Sequence, residues 1–270
     1  MALWPAIGYH RRMGINDPAH VRGQYVEKDA LSVRASLHAQ YSANKQGWAN
    51  WVFQQFVFSE GDAILEIGCG TGALWAGRLA PKNARVVLTD FSPLMVEKAQ
   101  ALLGGTAGFS FRTMDIQEIP FPENNFDAII ANHMLYHAPD LDKALGEASR
   151  TLKDGGAFYA TTIGENNLKE LNDMYRGYSD AADFAYSKGL TFSLENGGDA
   201  LGKYFSEIEL RRYVDCLEVT SADDLMEYVA SYNDLPKAVF DEMRDEIAGI
   251  VKARGMFRIE KDAGMFVCRK

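Results

Sequence analysis

Cysteine is scarce in this chain and widely scattered: Cys69, Cys216 and Cys268 are the whole complement. An odd number at such separations is not a disulfide framework, and no two stand at the spacing of a zinc knuckle. Long apolar runs are missing as well; nothing approaches the roughly 20 residues that cross a bilayer. The opening stretch MALWPAIGYHRR is too short and too polar for a secretory leader. Basic charge is in deficit, 28 Lys and Arg against 37 Asp and Glu, for a formal net charge of −9. An acidic surface is a poor partner for a phosphate backbone, so nucleic acid is disfavoured. These absences point to a cytoplasmic protein acting on a small molecule, without a membrane or nucleic-acid partner; a homodimer is compatible with all of them.

What is present is apolar: 47% of the 270 residues are hydrophobic, enough for a sizeable core. Residues 1–60 are rich in aromatics and read mostly as helix. From 27 to 58 there is no proline and one glycine, Gly47, and apolar residues recur at helical spacing, so two helices meeting near 42–47, or one bent helix, are expected. From Gly61 the pattern changes. Short apolar runs at 62–68, 84–90, 109–115, 126–132 and 156–163 read as strands. Helices are expected between them at 71–80, 92–103 and 140–152, with Ser92 as an N-cap and Pro93 at the first helical position. Such alternation means a mostly parallel sheet covered on both faces, the doubly wound α/β class. Residues 164–203 break the rhythm and read as an insertion after the fifth strand, carrying Tyr175, Tyr178, Phe184, Tyr186 and Phe192. Residues 204–270 supply strands at 205–219 and 264–269 around helices at 222–232 and 237–254, for seven strands in all.

The strongest local signal is Glu66-Ile67-Gly68-Cys69-Gly70-Thr71-Gly72, where the first strand turns toward the first helix. Glycines there let a ligand approach the main chain, at the sheet end where α/β folds bind ligands. A dinucleotide loop is G-x-G-x-x-G, aimed at a pyrophosphate. Here the third glycine comes one residue early, and Glu66 would repel a pyrophosphate but suit a cationic cofactor or its ammonium group. Spacing and charge therefore favour an adenosyl-amino-acid cofactor. Asp90, Asp115 and Asn132 each end a later strand, beside the same crevice. Asp90 stands where an acidic residue accepts from ribose hydroxyls.

Four ordered segments carry a resemblance: ILEIGCGTG (64–72), VVLTDFSPLMVEKA (86–99), MDIQEIPFPENNFDAIIANHMLYH (114–137) and LDKALGEASRTLKDGGAFYATT (141–162). Over 61–163 the chain resembles the class I S-adenosylmethionine-dependent methyltransferases, in the group that includes the ubiquinone and menaquinone biosynthesis enzymes. The resemblance implies a Rossmann-like core at 61–163 that binds S-adenosyl-L-methionine. It puts Gly68 and Gly70 along the methionine part, with Glu66 and Cys69 in the same loop. Asp90 falls on the ribose with Phe91 beside it, Asp115 on the adenine amino group with Ile116 beside it, and Asn132 and His133 on the methyl-donor pocket. It also implies that residues 1–60, which include Leu37-His38-Ala39-Gln40-Tyr41-Ser42-Ala43-Asn44-Lys45, form a lid, and that the insertion supplies substrate walls.

No catalytic residue is settled by sequence; His133, His137 and Tyr41 are the candidates. His133 and His137 are four apart and would share a helix face, but Met-Leu-Tyr between them lacks the metalloprotease glutamate, so no metal is expected. A role in shaping the loop after the fourth strand is the plainer reading. Tyr25 and Tyr41 could close the pocket or simply pack. Trp48 and Trp51 read as core, and Cys69 as a small buried residue. The expected reaction is methyl transfer to an N, O or C nucleophile of a small molecule. A quinone-type C-methyltransferase, a cofactor-binding protein without transfer activity and an aminopropyl-transferring synthase are the alternatives. The last would want an acid where Asn132-His133 stands.

Overall fold

The computed structural model describes residues 30–178, 189–232 and 235–270. Residues 1–29 of the expected lid, with Tyr25, and Phe184 and Tyr186 of the insertion lie outside the described residues. β1 (Ala63–Ile67) is buried at every position, and β2 (Arg85–Asp90) at every position but its first. A strand shielded on both faces belongs inside a parallel sheet. β1 accordingly pairs in parallel with β2 on one side and β4 (Phe126–Asn132) on the other. β3 (Phe109–Thr113) continues the sheet beyond β2, and β5 (Leu152–Ile163) beyond β4, both parallel. β6 (Ser206–Val219) lies at the far edge, and β7 (Phe257–Arg269) runs antiparallel between β5 and β6. The strand order is β3-β2-β1-β4-β5-β7-β6, a mixed seven-stranded sheet with one reversed strand among the described residues.

Helices α1 (Ala30–Tyr41) and α2 (Trp48–Gln55) precede the sheet, and α3 (Pro93–Leu103) and α4 (Leu141–Thr151) are crossovers. α5 (Lys169–Tyr178) and the short α6 (Gly197–Leu201) follow β5; α7 (Ala222–Ala230) and α8 (Lys237–Arg254) follow β6. Asp140 caps α4 by accepting from the Lys143 amide. Ser92 holds the N-cap position of α3 without a side-chain bond; its own amide donates to Asp90. Successive strand residues enter different cores, as a period of two requires. Leu65, Val87 and Ile129 pack with α4, whereas Ile64, Val86 and Leu88 pack around Trp75. A third core, with Leu37, Leu171, Leu217, Leu225 and Met243, joins α1, α5, α7 and α8 to the β6–β7 end.

Two expectations are corrected. The helix expected over 71–80 is a single 3-10 turn, Ala73–Trp75. Gly77 follows it in the left-handed region at φ +70°, which stops propagation. Aromatic rings surround Trp75 there: Phe53 of α2 meets it edge-on at 5.2 Å, and Phe58 stacks on it at 6.1 Å. The last strand is also longer than the expected 264–269, because Phe257 and Ile259 are buried while Arg258 and Glu260 are exposed, an alternation that extends the pairing with β6 to Val219↔Phe257.

One buried node ties the N-terminal segment to this end of the sheet. Asp215 of β6 accepts from Lys261 Nζ of β7 at 2.7 Å and from Ser42 Oγ at 2.5 Å through Oδ2, and from the Asn44 amide at 2.9 Å through Oδ1. Burial pushes its carboxyl up, but these donors outweigh burial and hold it below the usual range. Asp215→Ala leaves Lys261, whose side chain is 10% exposed, without its counter-ion. Breaking such a pair costs about 3–5 kcal/mol, to be read as a lower midpoint in urea unfolding. A depressed native pKa contributes stability above the unfolded value and loses it as the folded group protonates, so the gap between wild type and variant should narrow below about pH 4.

Candidate active site

Strand order reverses at β1. The connection after β1 leads outward to β2, and the chain returns past it to β4, so the carboxyl ends of these strands leave a crevice that no crossover fills. A cavity of about 390 Å³ lies there. Gly68, Cys69 and Gly70 line it from the end of β1, Asp90 and Phe91 from β2, Asp115 and Ile116 from the stretch after β3, and Asn132 and His133 from β4.

The loop geometry is specific. Gly68 has φ +68°, and a Cβ there would stand 2.7 Å from Met134 Cβ, so only glycine lets the loops after β1 and β4 touch. The Gly70 amide donates to Asp90 Oδ2 at 2.9 Å and the Ser92 amide to Oδ1 at 2.8 Å, pinning the loop to the end of β2. Burial raises the Asp90 carboxyl against the pull of these amides. Asp115 Oδ1 accepts from the Gln117 amide at 2.9 Å. Thr161 of β5 donates to Asn132 Oδ1 at 2.7 Å and accepts from the His133 amide at 2.9 Å, so one hydroxyl orders both residues at the end of β4.

Glu66 is placed differently from the expectation. It is 1% exposed and does not line the cavity. Its Oε2 accepts from Trp75 Nε1 at 2.7 Å, and burial raises its carboxyl to about 7. The Cys69 thiol is pushed well above its ordinary value, first by burial and then by Glu66, as befits a packing residue.

A second cavity, about 760 Å³, adjoins the first; His133 and His137 line both. Arg34 and His38 of α1, Ser42 and Lys45 of the following turn, Trp48 of α2, Tyr228 of α7 and Lys261 of β7 form its walls. The His133 ring packs on Trp48 at 4.8 Å. Burial, and then Lys261, lowers His133 to about 4 and His38 to about 3, so both rings are neutral near pH 7. The two candidate histidines do not share a helix face: His133 has φ +52°, and His137 closes the 3-10 turn Leu135–His137. Among the described residues no group of His, Cys, Asp or Glu side chains is gathered as for a metal, and no helix is long and apolar enough to cross a membrane.

Tyr41 lines neither cavity; its hydroxyl donates to Asp224 Oδ2 at 2.5 Å between α1 and α7. The described aromatics of 164–203 also turn away. Tyr175 and Phe192 are buried in two different cores, and the Tyr178 hydroxyl donates to Glu246 of α8. The apolar face of α5 is used in packing on β7 and α8, which leaves Asn167, Leu168 and Leu190 as that stretch's share of the wall. Trp48, read as core, is a cavity wall. Arg34 and Lys261 were missed, since nothing in their neighbourhoods in sequence marks them, whereas His38 lies in the 37–45 segment read as lid; the three meet only in the fold.

Residues 65–160 match the model of a methyltransferase domain. The core of this chain is thus a methyltransferase domain, similar to those of S-adenosylmethionine-dependent methyltransferases. It is similar to the malonyl-[acyl-carrier protein] O-methyltransferase of Geobacter sulfurreducens, 31% identical over 57% of this chain and 55% of that protein. The ubiquinone/menaquinone biosynthesis C-methyltransferase of Vibrio cholerae is 32% identical over 44% of this chain and 48% of that protein. The chain thus spans about half the length of these curated relatives. Among solved structures, phosphoethanolamine N-methyltransferase 2 of Haemonchus contortus superposes with a TM-score of 0.56 at 18% identity, over 96% of this chain and 60% of that one. The [4+2]-cyclase SpnF superposes at 0.58 and 18%, over 96% and 97%. At such identities the likeness is one of fold. The methyltransferase core therefore includes the glycine loop and the ends of β2 and β4, while α1, α7 and β7 lie outside the matched domain.

The buried Glu66 gives a pH test of this core. A native carboxyl raised from 4.5 to about 7 keeps its full stabilising effect below pH 4.5 and loses it as pH rises through 7, where folding must bury a charge. Glu66→Gln keeps an acceptor for Trp75 without that charge. At pH 8 it should be more stable than wild type by up to ~3 kcal/mol, at 1.36 kcal/mol per pH unit, and indistinguishable at pH 4.5. Thermal melts at the two pH values check this; a destabilised variant at pH 8 would reverse it.

Proposed function

We propose that this chain transfers the methyl group of S-adenosyl-L-methionine to a nitrogen, oxygen or carbon nucleophile of a small molecule. The observation that carries this reading is the meeting of two cavities at His133 and His137, a glycine- and carboxylate-lined one for the donor and a larger one for the acceptor. The residues fit the donor. A Cβ at Gly70 would meet nothing within 4 Å, so the main chain is open to close approach. Asp90 is placed to accept from ribose hydroxyls and Asp115 to accept from the adenine amino group. Phe91, Met95 and Ile116 offer apolar walls for the base. The cofactor, when bound, supplies the methyl group and its sulfonium leaving group. What remains for the protein is to align donor and acceptor and to exclude water.

For an acceptor that must lose a proton, His133 is the base in this reading, because it borders both cavities. Tyr41 is set aside because Asp224 occupies its hydroxyl. α1, α2 and the turn between them act as the lid, since they supply much of the wall of the acceptor cavity. The formal charge of −9 supports a small molecule over nucleic acid.

Incubation with methyl-labelled cofactor and a metabolite extract should release S-adenosylhomocysteine and label a small molecule. Binding without either product would leave a cofactor-binding protein. Charge-assisted hydrogen bonds are worth about 1.5–3 kcal/mol each, so Asp90→Ala should weaken cofactor binding at least tenfold by calorimetry. Unchanged binding would remove the ribose assignment. His133→Gln should lower turnover by about 10²-fold or more with a protonated acceptor, the scale of general-base catalysis. If turnover holds, His133 only shapes the loop.

A further inference from the structure

The second cavity is electropositive in an acidic protein. Among the described residues its lining holds three cations, Arg34, Lys45 and Lys261, and no Asp or Glu, although acidic residues outnumber basic ones by 37 to 28 in the chain. Lys261 is neutralised by Asp215, at 2.7 Å. The other two are not: among the described residues no carboxylate pairs with Arg34 or Lys45. The Arg34 guanidinium donates to Ser231 through Nε, at 3.1 Å, and Nη2, and lies 3.6 Å over the Tyr232 ring. Those contacts orient the fork and neutralise nothing. Lys45 Nζ donates to the Ser42 carbonyl at 2.7 Å. Among the described residues the cavity thus has two cations without a paired carboxylate, Arg34 half-buried and Lys45 exposed.

Among the described residues two further groups lack partners. Trp48 Nε1 and His38 Nδ1 are buried without a hydrogen bond, and both residues line this cavity. An indole N–H can only donate, and leaving it buried and unpaired is unfavourable. The remaining walls are apolar or aromatic, among them Leu168, Leu190, Tyr136 and Tyr228.

We propose that the methyl acceptor is an organic anion, an apolar or aromatic body bearing one oxyanion group, carboxylate or phosphate ester, held by Arg34 and Lys45. This deepens the methyltransferase reading and rests on it. An Arg fork matches either oxyanion, and a charge-assisted pair inside a walled cavity is stronger than one in water. Anchoring the anion at α1 leaves the apolar body to reach toward His133 and His137, where the donor cavity begins.

The test uses the full chain saturated with S-adenosylhomocysteine and three matched probes: 2-naphthoate, 2-naphthyl phosphate and the neutral 2-naphthalenemethanol. Binding is followed by probe fluorescence. At least one anion should bind tenfold or more tighter than the carbinol, and the advantage should shrink with added salt. The tighter anion identifies the group. Arg34→Gln and Lys45→Gln should each remove most of that advantage and leave carbinol affinity unchanged. Lys45→Gln is the safer variant, because Arg34 also holds Ser231 and Tyr232; melting curves identify any loss of fold. Equal binding of anion and carbinol, no binding of any probe, or an advantage untouched by Lys45→Gln in a folded protein would overturn the proposal. Calorimetry with the methyl donor is run beside it. Failure there would sink the transferase reading, while an anion preference that depends on Lys45 would still locate the oxyanion site.

Discussion

A parallel sheet that reverses its strand order must leave a gap, and this protein is organised around that gap. β1 is flanked by β2 and β4, and the chain runs outward from β1 on one side and returns to build the other. Register keeps the strand ends level: Ile67 pairs with Thr89 and with Ala131. The residues that follow, Gly68, Asp90 and Asn132, therefore surround one crevice although they are far apart in the chain. The rest of the site is local adjustment. Gly68 lets two loops touch, Asp90 ties the glycine loop to β2, and Thr161 orders Asn132 and His133 from the neighbouring strand.

The second half of the site has a different origin. It depends on a segment before the sheet reaching the strands that end the chain, and the tie is electrostatic. Asp215 collects donors from Ser42, Asn44 and Lys261, which stitches the turn between α1 and α2 to the antiparallel β6–β7 pair. Burying an ion pair is seldom favourable for stability alone. Here it also holds the turn from which Lys45 and Trp48 reach the second cavity. The same burial keeps His38 and His133 neutral, so the positive charge of that cavity comes from its Arg and Lys rather than from its histidines.

Burial also separates the two acids of the glycine-loop strands. Glu66 and Asp90 are near each other and both are raised by desolvation, but only Asp90 reaches the cleft. Glu66 points into the aromatic flank, where Trp75, Phe53 and Phe58 fill the space that a longer helix after β1 would take.

The doubly wound class, the strand ends and the residues that line the first cavity were legible in the amino-acid sequence because each rests on a local pattern. Apolar runs of strand length mark the sheet, and Gly68, Gly70, Asp90, Asp115 and Asn132 each follow such a run directly. Local pattern misled where a neighbour in space decided. Residues 71–80 have helical composition, yet Gly77 and the rings around Trp75 stop the helix after one turn. Glu66 precedes a ligand loop, yet its side chain faces the opposite side of the sheet. Tyr175, Tyr178 and Phe192 are suited to walls, yet α5 and its surroundings use them in packing. By itself the sequence determined the sheet, its crevice and the residues at its rim, since short-range periodicity and turn chemistry suffice for these. The second cavity was decided only by tertiary structure, because among the described residues its unpaired cations and donor belong to Arg34, Lys45 and Trp48, which stand on separate elements and meet the walls from α7 and β7 only in the fold.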